Sequence, residues 1–85
     1  MSELARRLLE PIPHPVFADV IDEVTRAVGK HGPMHNAHEA YGIIMEEVAE
    51  FFDEVRKQTL DHKATRKELI QIAAMACRAI IDLKL

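Results

Sequence analysis

Four glutamates have a spacing that suits the binding of a divalent cation. Glu46, Glu47 and Glu50 lie within five residues, and Glu68 follows after the 17-residue spacer 51–67. An α-helix turns about 100° per residue, so Glu47 and Glu50 would project within about 60° of each other. They border an apolar stripe, and like charges crowded at the edge of a core repel one another. A hard cation such as Mg²⁺, which prefers oxygen ligands, would relieve that repulsion.

A second helix would have to complete this site. Gln71 lies one helical turn after Glu68 and shares its face. Antiparallel packing of the two helices would bring together four predicted metal ligands, which are Glu47, Glu50, Glu68 and Gln71. Two simpler interpretations compete with a metal site. The acids could form a solvated helix face, and Glu68 could form a capping box with Thr65.

Two further groups of residues are predicted to contact a substrate. Basic residues follow the turn between the two helices, and cations in the first turn of a helix oppose its dipole, which suggests that they meet anionic phosphate. Histidines precede the first of these helices, where a loop and a helix start could line a pocket. Ordinary surface charge and histidines without a role are the alternatives. The candidates are His35, Asn36, His38, Lys63, Arg66 and Lys67.

The elements that must position these residues are helices. Apolar residues recur at helical spacing between breaks at prolines and glycines, and no segment shows the alternation typical of a strand. The pattern predicts helices at 2–10, 15–30, 36–58 and 65–83. Asn36 is the predicted N-cap of the third.

This pattern predicts an all-α fold, a small bundle of three to four helices in a single domain over residues 1–85. Residues 1–14 would form an N-terminal arm, and residues 36–83 the helix pair that carries the site. The last helix is apolar almost all the way round, so it must be buried on every side. We therefore predict a homo-oligomer, a dimer or tetramer, that completes its core between subunits. Cys77 in this helix is predicted to be buried.

Composition limits the classes of function. Hydrophobic residues make up 48% and charged residues 29% of the 85 residues, which is typical of a globular chain. The sequence has no tryptophan and few aromatics, so base stacking on single-stranded nucleic acid is not expected. No apolar run reaches the roughly 20 residues that span a membrane. A lone cysteine permits no intrachain disulfide, and we expect a cytoplasmic location.

The segment from His35 to Leu83 resembles the MazG-like family of all-α nucleoside triphosphate pyrophosphohydrolases. The family motif is Glu-Glu-x-x-Glu, a spacer, and then Glu-x-x-Asp. Residues 46–50, Glu-Glu-Val-Ala-Glu, match its first half, and Glu68 follows a spacer of the family's kind. Residues 35–42 also look like the approach to this motif in small members. Gln71 stands where the family has aspartate, so the site has one negative charge fewer.

The resemblance implies Mg²⁺-dependent cleavage of nucleoside triphosphates to monophosphate and pyrophosphate, in the removal of unwanted nucleotides. It implies that Glu47, Glu50 and Glu68 bind Mg²⁺ and that Gln71 is a weak ligand or holds a metal-bound water. Glu46 would be catalytic, as a ligand or by orienting the attacking water. Because of Gln71, a weakened or inactive helical oligomer that binds nucleotides or other proteins is the alternative. An antitoxin-like or adaptor-like module is a third interpretation.

Overall fold

The computed structural model describes residues 2–3, 14–30 and 32–85. Within them lie three helices, α1 (Pro15–Lys30), α2 (Ala37–Val55) and α3 (His62–Asp82), and no strand. The all-α prediction is confirmed for this part of the chain. Except for its first two residues, the helix predicted over 2–10 lies outside the described residues. None of the described helices combines the length and the apolar character needed to cross a membrane.

The first two helices begin where the sequence predicts. Pro15 opens α1, where its missing N–H costs nothing, and the His14 ring Nδ1 accepts a hydrogen bond from the Val16 N–H at 3.0 Å. Asn36 caps α2, because its side-chain oxygen accepts from the Glu39 N–H at 2.8 Å. The helix ends at Val55, three residues before the predicted end.

The predicted start of the last helix at Thr65 is wrong. Helix α3 begins at His62, and Asp61 caps it by accepting from the Ala64 N–H at 3.0 Å. An aspartate is a strong N-cap, and its charge also favours the helix dipole, so the helix forms one turn earlier. Thr65 lies inside the helix and its buried hydroxyl has no hydrogen-bond partner. The capping box with Glu68 therefore does not form, which removes that explanation of Glu68.

Helix α3 lies in the middle of the fold. It packs against α2 on one face and against α1 on another. The buried core is small and consists mostly of alanines, which let the helices approach closely: Ala27, Met34, Ala40, Ala74, Met75 and Ala79. The sequence predicts a second subunit because α3 is apolar on almost every side. Packing against both α1 and α2 already covers much of that apolar surface.

A buried arginine of α3 binds the last part of α1 and the linker between α1 and α2. The Arg78 side chain is 3% exposed and donates hydrogen bonds to the carbonyl oxygens of Ala27, at 3.3 Å, and Gly32. Its Nε lies 3.3 Å from an Asp82 carboxylate oxygen, which also accepts from the Met34 N–H at 2.9 Å. These contacts pair the buried guanidinium with a carboxylate and connect α3 to the segment that leads into α2. The spacing of Arg78 four residues before Asp82 signals the ion pair within α3, but not the contacts with Ala27 and Gly32.

Two apolar stripes remain on the surface. In each stripe, apolar residues follow one another at alternating intervals of four and three residues. This spacing is typical of helices that pack against a partner helix. The α2 stripe is Tyr41, Met45, Val48, Phe52 and Val55, and the α3 stripe is Leu69, Ala73, Ala76 and Ile80. Cys77 lies beside the α3 stripe and is exposed, so its predicted burial is wrong for the single chain.

Candidate metal centre

Three carboxylates from two helices converge at the contact between α2 and α3. Glu47 and Glu50 come from α2, and Glu68 comes from α3. One carboxylate oxygen from each lies within 4.8 Å of the others. The one-turn spacing places the first two on one face, and the short connection 56–61 folds α3 back beside them. The structure thus brings together the three glutamates that the sequence predicts as metal ligands.

The environment of the cluster opposes ionisation of Glu47 and Glu68. Burial raises the pKa of Glu47 to about 7, and the negative charges of Glu50, Glu68 and Glu23 add to the effect. Burial is also the largest cause that raises the pKa of Glu68. Hydrogen bonding with Glu50 and the negative charge of Glu50 raise this pKa further. Lys67 opposes this shift at Glu68 through its positive charge. In the metal-free protein, protons therefore remain on Glu47 and Glu68 at higher pH than on ordinary glutamates.

Two carboxylate oxygens of the cluster would be available to a hard cation. Glu47 Oε2 and Glu68 Oε2 are buried and accept no hydrogen bond from the residues that the structure describes. A buried carboxylate oxygen without a partner is costly, and a cation supplies what is missing. Ligands of one Mg²⁺ lie at most about 4.2 Å apart, twice the Mg–O distance. The three oxygens lie within 4.8 Å of one another, a spacing somewhat wider than that limit, so the carboxylates would have to move closer together to bind one Mg²⁺.

The carboxylates open into a cavity of about 310 Å³. Gln71 lines this cavity together with Glu47, Glu50 and Glu68, as the sequence predicts. Its amide is therefore available to the same space, although it brings no negative charge. The floor includes Ala27 and Met75, and the rim includes two cations, Arg26 and Lys67.

A larger groove of about 870 Å³ runs beside this cavity, between α1 and the start of α3. The three predicted phosphate-binding residues Lys63, Arg66 and Lys67 all line it. Arg66 is held by Asp19 of α1, with 2.6 Å between Nη2 and Oδ2. The groove and the cavity share a wall. Four residues line both spaces: Glu23, Arg26, Lys67 and Gln71.

The remaining predicted site residues are not members of the cluster. Glu46 is exposed and is not one of the converging carboxylates. His35, Asn36 and His38 are exposed and line neither the cavity nor the groove. The side-chain oxygen of Asn36 caps α2, and His35 Nδ1 lies 3.2 Å from Glu39 Oε2.

Sequence reasoning missed two residues of α1 that face the cluster. Glu23 lies near enough to Glu47 to raise its pKa, and Arg26 binds Glu23 through two hydrogen bonds of 3.1 and 2.5 Å. Their spacing of three residues signals an ion pair on one helix face. Nothing in that spacing indicates which neighbour the face meets.

Together these residues form a small acidic pocket bordered by cations and joined to a wider groove. Carboxylates can hold a divalent metal, and the bordering cations can bind the anionic oxygens of a metal-bound ligand. The arrangement therefore suits an anion that carries a metal, such as a polyphosphate. Comparison of the chain with protein-family models, curated proteins and solved structures found no match.

Proposed function

We propose that this chain is a MazG-like, Mg²⁺-dependent nucleoside triphosphate pyrophosphohydrolase that removes unwanted nucleotides. The observation that carries the proposal is the convergence of Glu47, Glu50 and Glu68 within 4.8 Å, with buried oxygens that lack partners. These residues also occupy the positions of the family motif that the sequence resembles. The reaction adds water to the α-phosphorus and breaks its bond to the oxygen that bridges to the β-phosphate, which releases pyrophosphate.

The residues have distinct roles in this proposal. Glu47, Glu50 and Glu68 would hold Mg²⁺, and Gln71 would be a weak ligand or hold a metal-bound water. When bound, Mg²⁺ neutralises phosphate oxygens and the charge that develops on the leaving group. Glu46, one residue from Glu47 and in contact with solvent, would orient the attacking water and accept its proton.

Substrate binding is assigned to the basic residues along the groove. Lys63, Arg66 and Lys67 line it and would contact the phosphates. The groove volume of about 870 Å³ lies within the roughly 300–1,000 Å³ of small-molecule sites. The other predicted substrate-binding residues, His35, Asn36 and His38, line neither the groove nor the cavity.

A nucleotide panel with Mg²⁺ tests the activity. Each common nucleoside triphosphate is incubated with the protein, and pyrophosphate and orthophosphate are measured separately. We expect pyrophosphate with the monophosphate as co-product, and loss of most of the rate in Glu50→Gln. Release of orthophosphate alone, or no release with any nucleotide, would contradict the proposed reaction.

Metal binding is tested apart from turnover. Mg²⁺ should raise the Tm of the wild type, because it binds the folded cluster and relieves its repulsion. Glu50→Gln should lose this response while its metal-free Tm stays equal or slightly higher. Asp53→Gln is the matched control, because Asp53 is an exposed acid on α2 outside the cluster. An unchanged Mg²⁺ response in Glu50→Gln would remove that residue from the site.

The oligomer is the second part of the proposal. Helices α2 and α3 each present an apolar stripe with heptad-like spacing, and together they form half of a four-helix bundle. A second copy that supplies the same two stripes would cover residues such as Tyr41 and Phe52. The exposed face of α3 carries part of this interface, as the sequence predicts, and α2 carries the rest. A dimer is the smallest assembly that covers both stripes, and a tetramer is the larger alternative.

A catalytically weakened nucleotide-binding oligomer is the second candidate function. The observation that favours it is Gln71, which lines the acidic cavity where the family motif has an aspartate. With one anionic group fewer, metal affinity falls and the chain would bind nucleotides without rapid turnover. We place the protein in the cytoplasm on the grounds of its single cysteine.

A further inference from the structure

We propose that Arg26 of α1 binds the polyphosphate chain of the nucleotide where the acidic cavity meets the groove, opposite Lys67 of α3. This inference rests on the proposed function and adds a substrate-binding residue that lies outside the segment resembling the family. Among the residues that the structure describes, Arg26 and Lys67 are the two cations that line both spaces.

The position of Arg26 follows from its pairing with Glu23. The two hydrogen bonds to the Glu23 carboxylate fix the guanidinium plane and use two of its five N–H donors. Glu23 is only 17% exposed and faces the cluster, whereas Arg26 is 55% exposed. The pair therefore presents a fixed but accessible cation to the cavity.

The chemistry of a triphosphate requires such a cation. Phosphate oxygens that do not contact the metal need other positive groups, and guanidinium binds them in a planar, two-bonded geometry. Lys67 and Arg26 project from different helices into the same space, so an anion between them would contact both. The competing explanation is that Arg26 only neutralises Glu23, as an ordinary ion pair within one helix.

A binding experiment separates these explanations. Isothermal titration calorimetry with Mg²⁺ and a nucleoside triphosphate analogue bridged by a methylene between the α and β phosphates measures affinity without turnover. We expect Arg26→Gln to weaken binding by about ten-fold or more, and Arg26→Lys to weaken it less. The rise in Tm with Mg²⁺ alone should persist in both variants, because the carboxylates remain.

Lys57→Gln is the matched control. Lys57 pairs with Glu54 three residues earlier, and the two side chains are 54% and 14% exposed, nearly the same as Arg26 and Glu23. Lys57 lines neither space. The control removes the same charge from the same kind of pair, so it should bind the analogue like the wild type.

The outcomes distinguish this inference from the proposed function. Wild-type affinity in Arg26→Gln, or an equal loss in Lys57→Gln, would overturn the role of Arg26 even if the protein hydrolyses nucleotides. Binding that depends on Arg26 without any pyrophosphate release would support the role of Arg26 and contradict the enzymatic activity. A wild type that does not bind the analogue would overturn the inference.

Discussion

The raised pKa of Glu47 gives the metal-free protein an unusual dependence on pH. The folded pKa of about 7 lies above the ordinary 4.5, so between these values the folded state holds a proton that the unfolded state has lost. The stabilisation that this proton gives the folded state is fully present below the unfolded pKa of 4.5. It is lost as the pH rises through the folded pKa of about 7. We expect the free energy of unfolding to be larger at about pH 5.5 than at about pH 8, by about 1 kcal/mol after allowance for solvent screening.

Chemical denaturation at both pH values, with a chelator present, measures this difference. Glu47→Gln should flatten it, because the amide cannot titrate. Mg²⁺ should stabilise the protein more at about pH 8 than at about pH 5.5, because at the higher pH the cation does not compete with protons for the carboxylates. A wild type whose stability rises with pH, or a variant with the full pH dependence, would contradict the assigned environment of Glu47.

Gln71 tests whether one missing charge weakens the site. Gln71→Asp would add a carboxylate to the wall of the acidic cavity, in the position of the family's aspartate. We expect about ten-fold tighter Mg²⁺ binding, lower metal-free stability because a like charge is added, and faster pyrophosphate release. Gln71→Asn is the neutral control of the same length as aspartate. Lower stability in Gln71→Asp without a gain in metal affinity would argue against a metal ligand at this position and favour the non-catalytic function.

At the scale of single helices, the cap of α3 determines where the site-bearing helix begins. Asp61 accepts a hydrogen bond from Ala64, whereas the Thr65 hydroxyl has no partner. We expect Asp61→Ala to lower the free energy of unfolding by about 1 kcal/mol, in the usual range for a lost N-cap. Thr65→Ala should be neutral or slightly stabilising, because it removes a buried hydroxyl without a partner and adds a better helix former.

Urea denaturation of the two alanine variants checks these values. Since Asp61 caps α3 and Thr65 lies in its first turn, each alanine variant is a control for a general effect of substitution at this end of the helix. A larger loss in Thr65→Ala than in Asp61→Ala would return the N-cap to Thr65 and restore the capping-box explanation of Glu68.

At the scale of the whole molecule, the exposed stripes on α2 and α3 determine the expected assembly. A stable dimer buries about 800 Å² per partner, which requires a continuous face and not scattered apolar residues. Phe52→Lys and Ile80→Lys each place a charge in a stripe, and we expect either one to dissociate the oligomer at micromolar concentration. Phe17→Lys is the control, because Phe17 of α1 is 53% exposed, similar to Phe52 at 57%, and lies outside both stripes.

Sedimentation equilibrium gives the assembly mass directly. A wild type that sediments as a 9.6 kDa monomer at micromolar concentration would refute the oligomer. The thiol of Cys77 provides a second measurement, because it lies beside the α3 stripe and is exposed in the single chain. A thiol reagent should react with it more slowly in the wild type than in Ile80→Lys.

The sequence by itself determined the features that depend on neighbours within one or two helical turns. The helical class, the Asn36 cap and the shared face of Glu47 and Glu50 all follow from local spacing, because backbone hydrogen bonds and side-chain directions repeat with the helix period. Glu68 could be proposed for the site because a short connection between two helices favours antiparallel packing.

Tertiary packing alone decided which faces of the helices meet. It brought Arg26 and Glu23 beside the cluster, buried Arg78 against Ala27 and Gly32, and left Cys77 on the surface. These contacts join residues that are often tens of positions apart, and several helix faces were apolar enough to serve as the packed one. Local periodicity identifies such faces as candidates, but the fit of all three helices together selects among them.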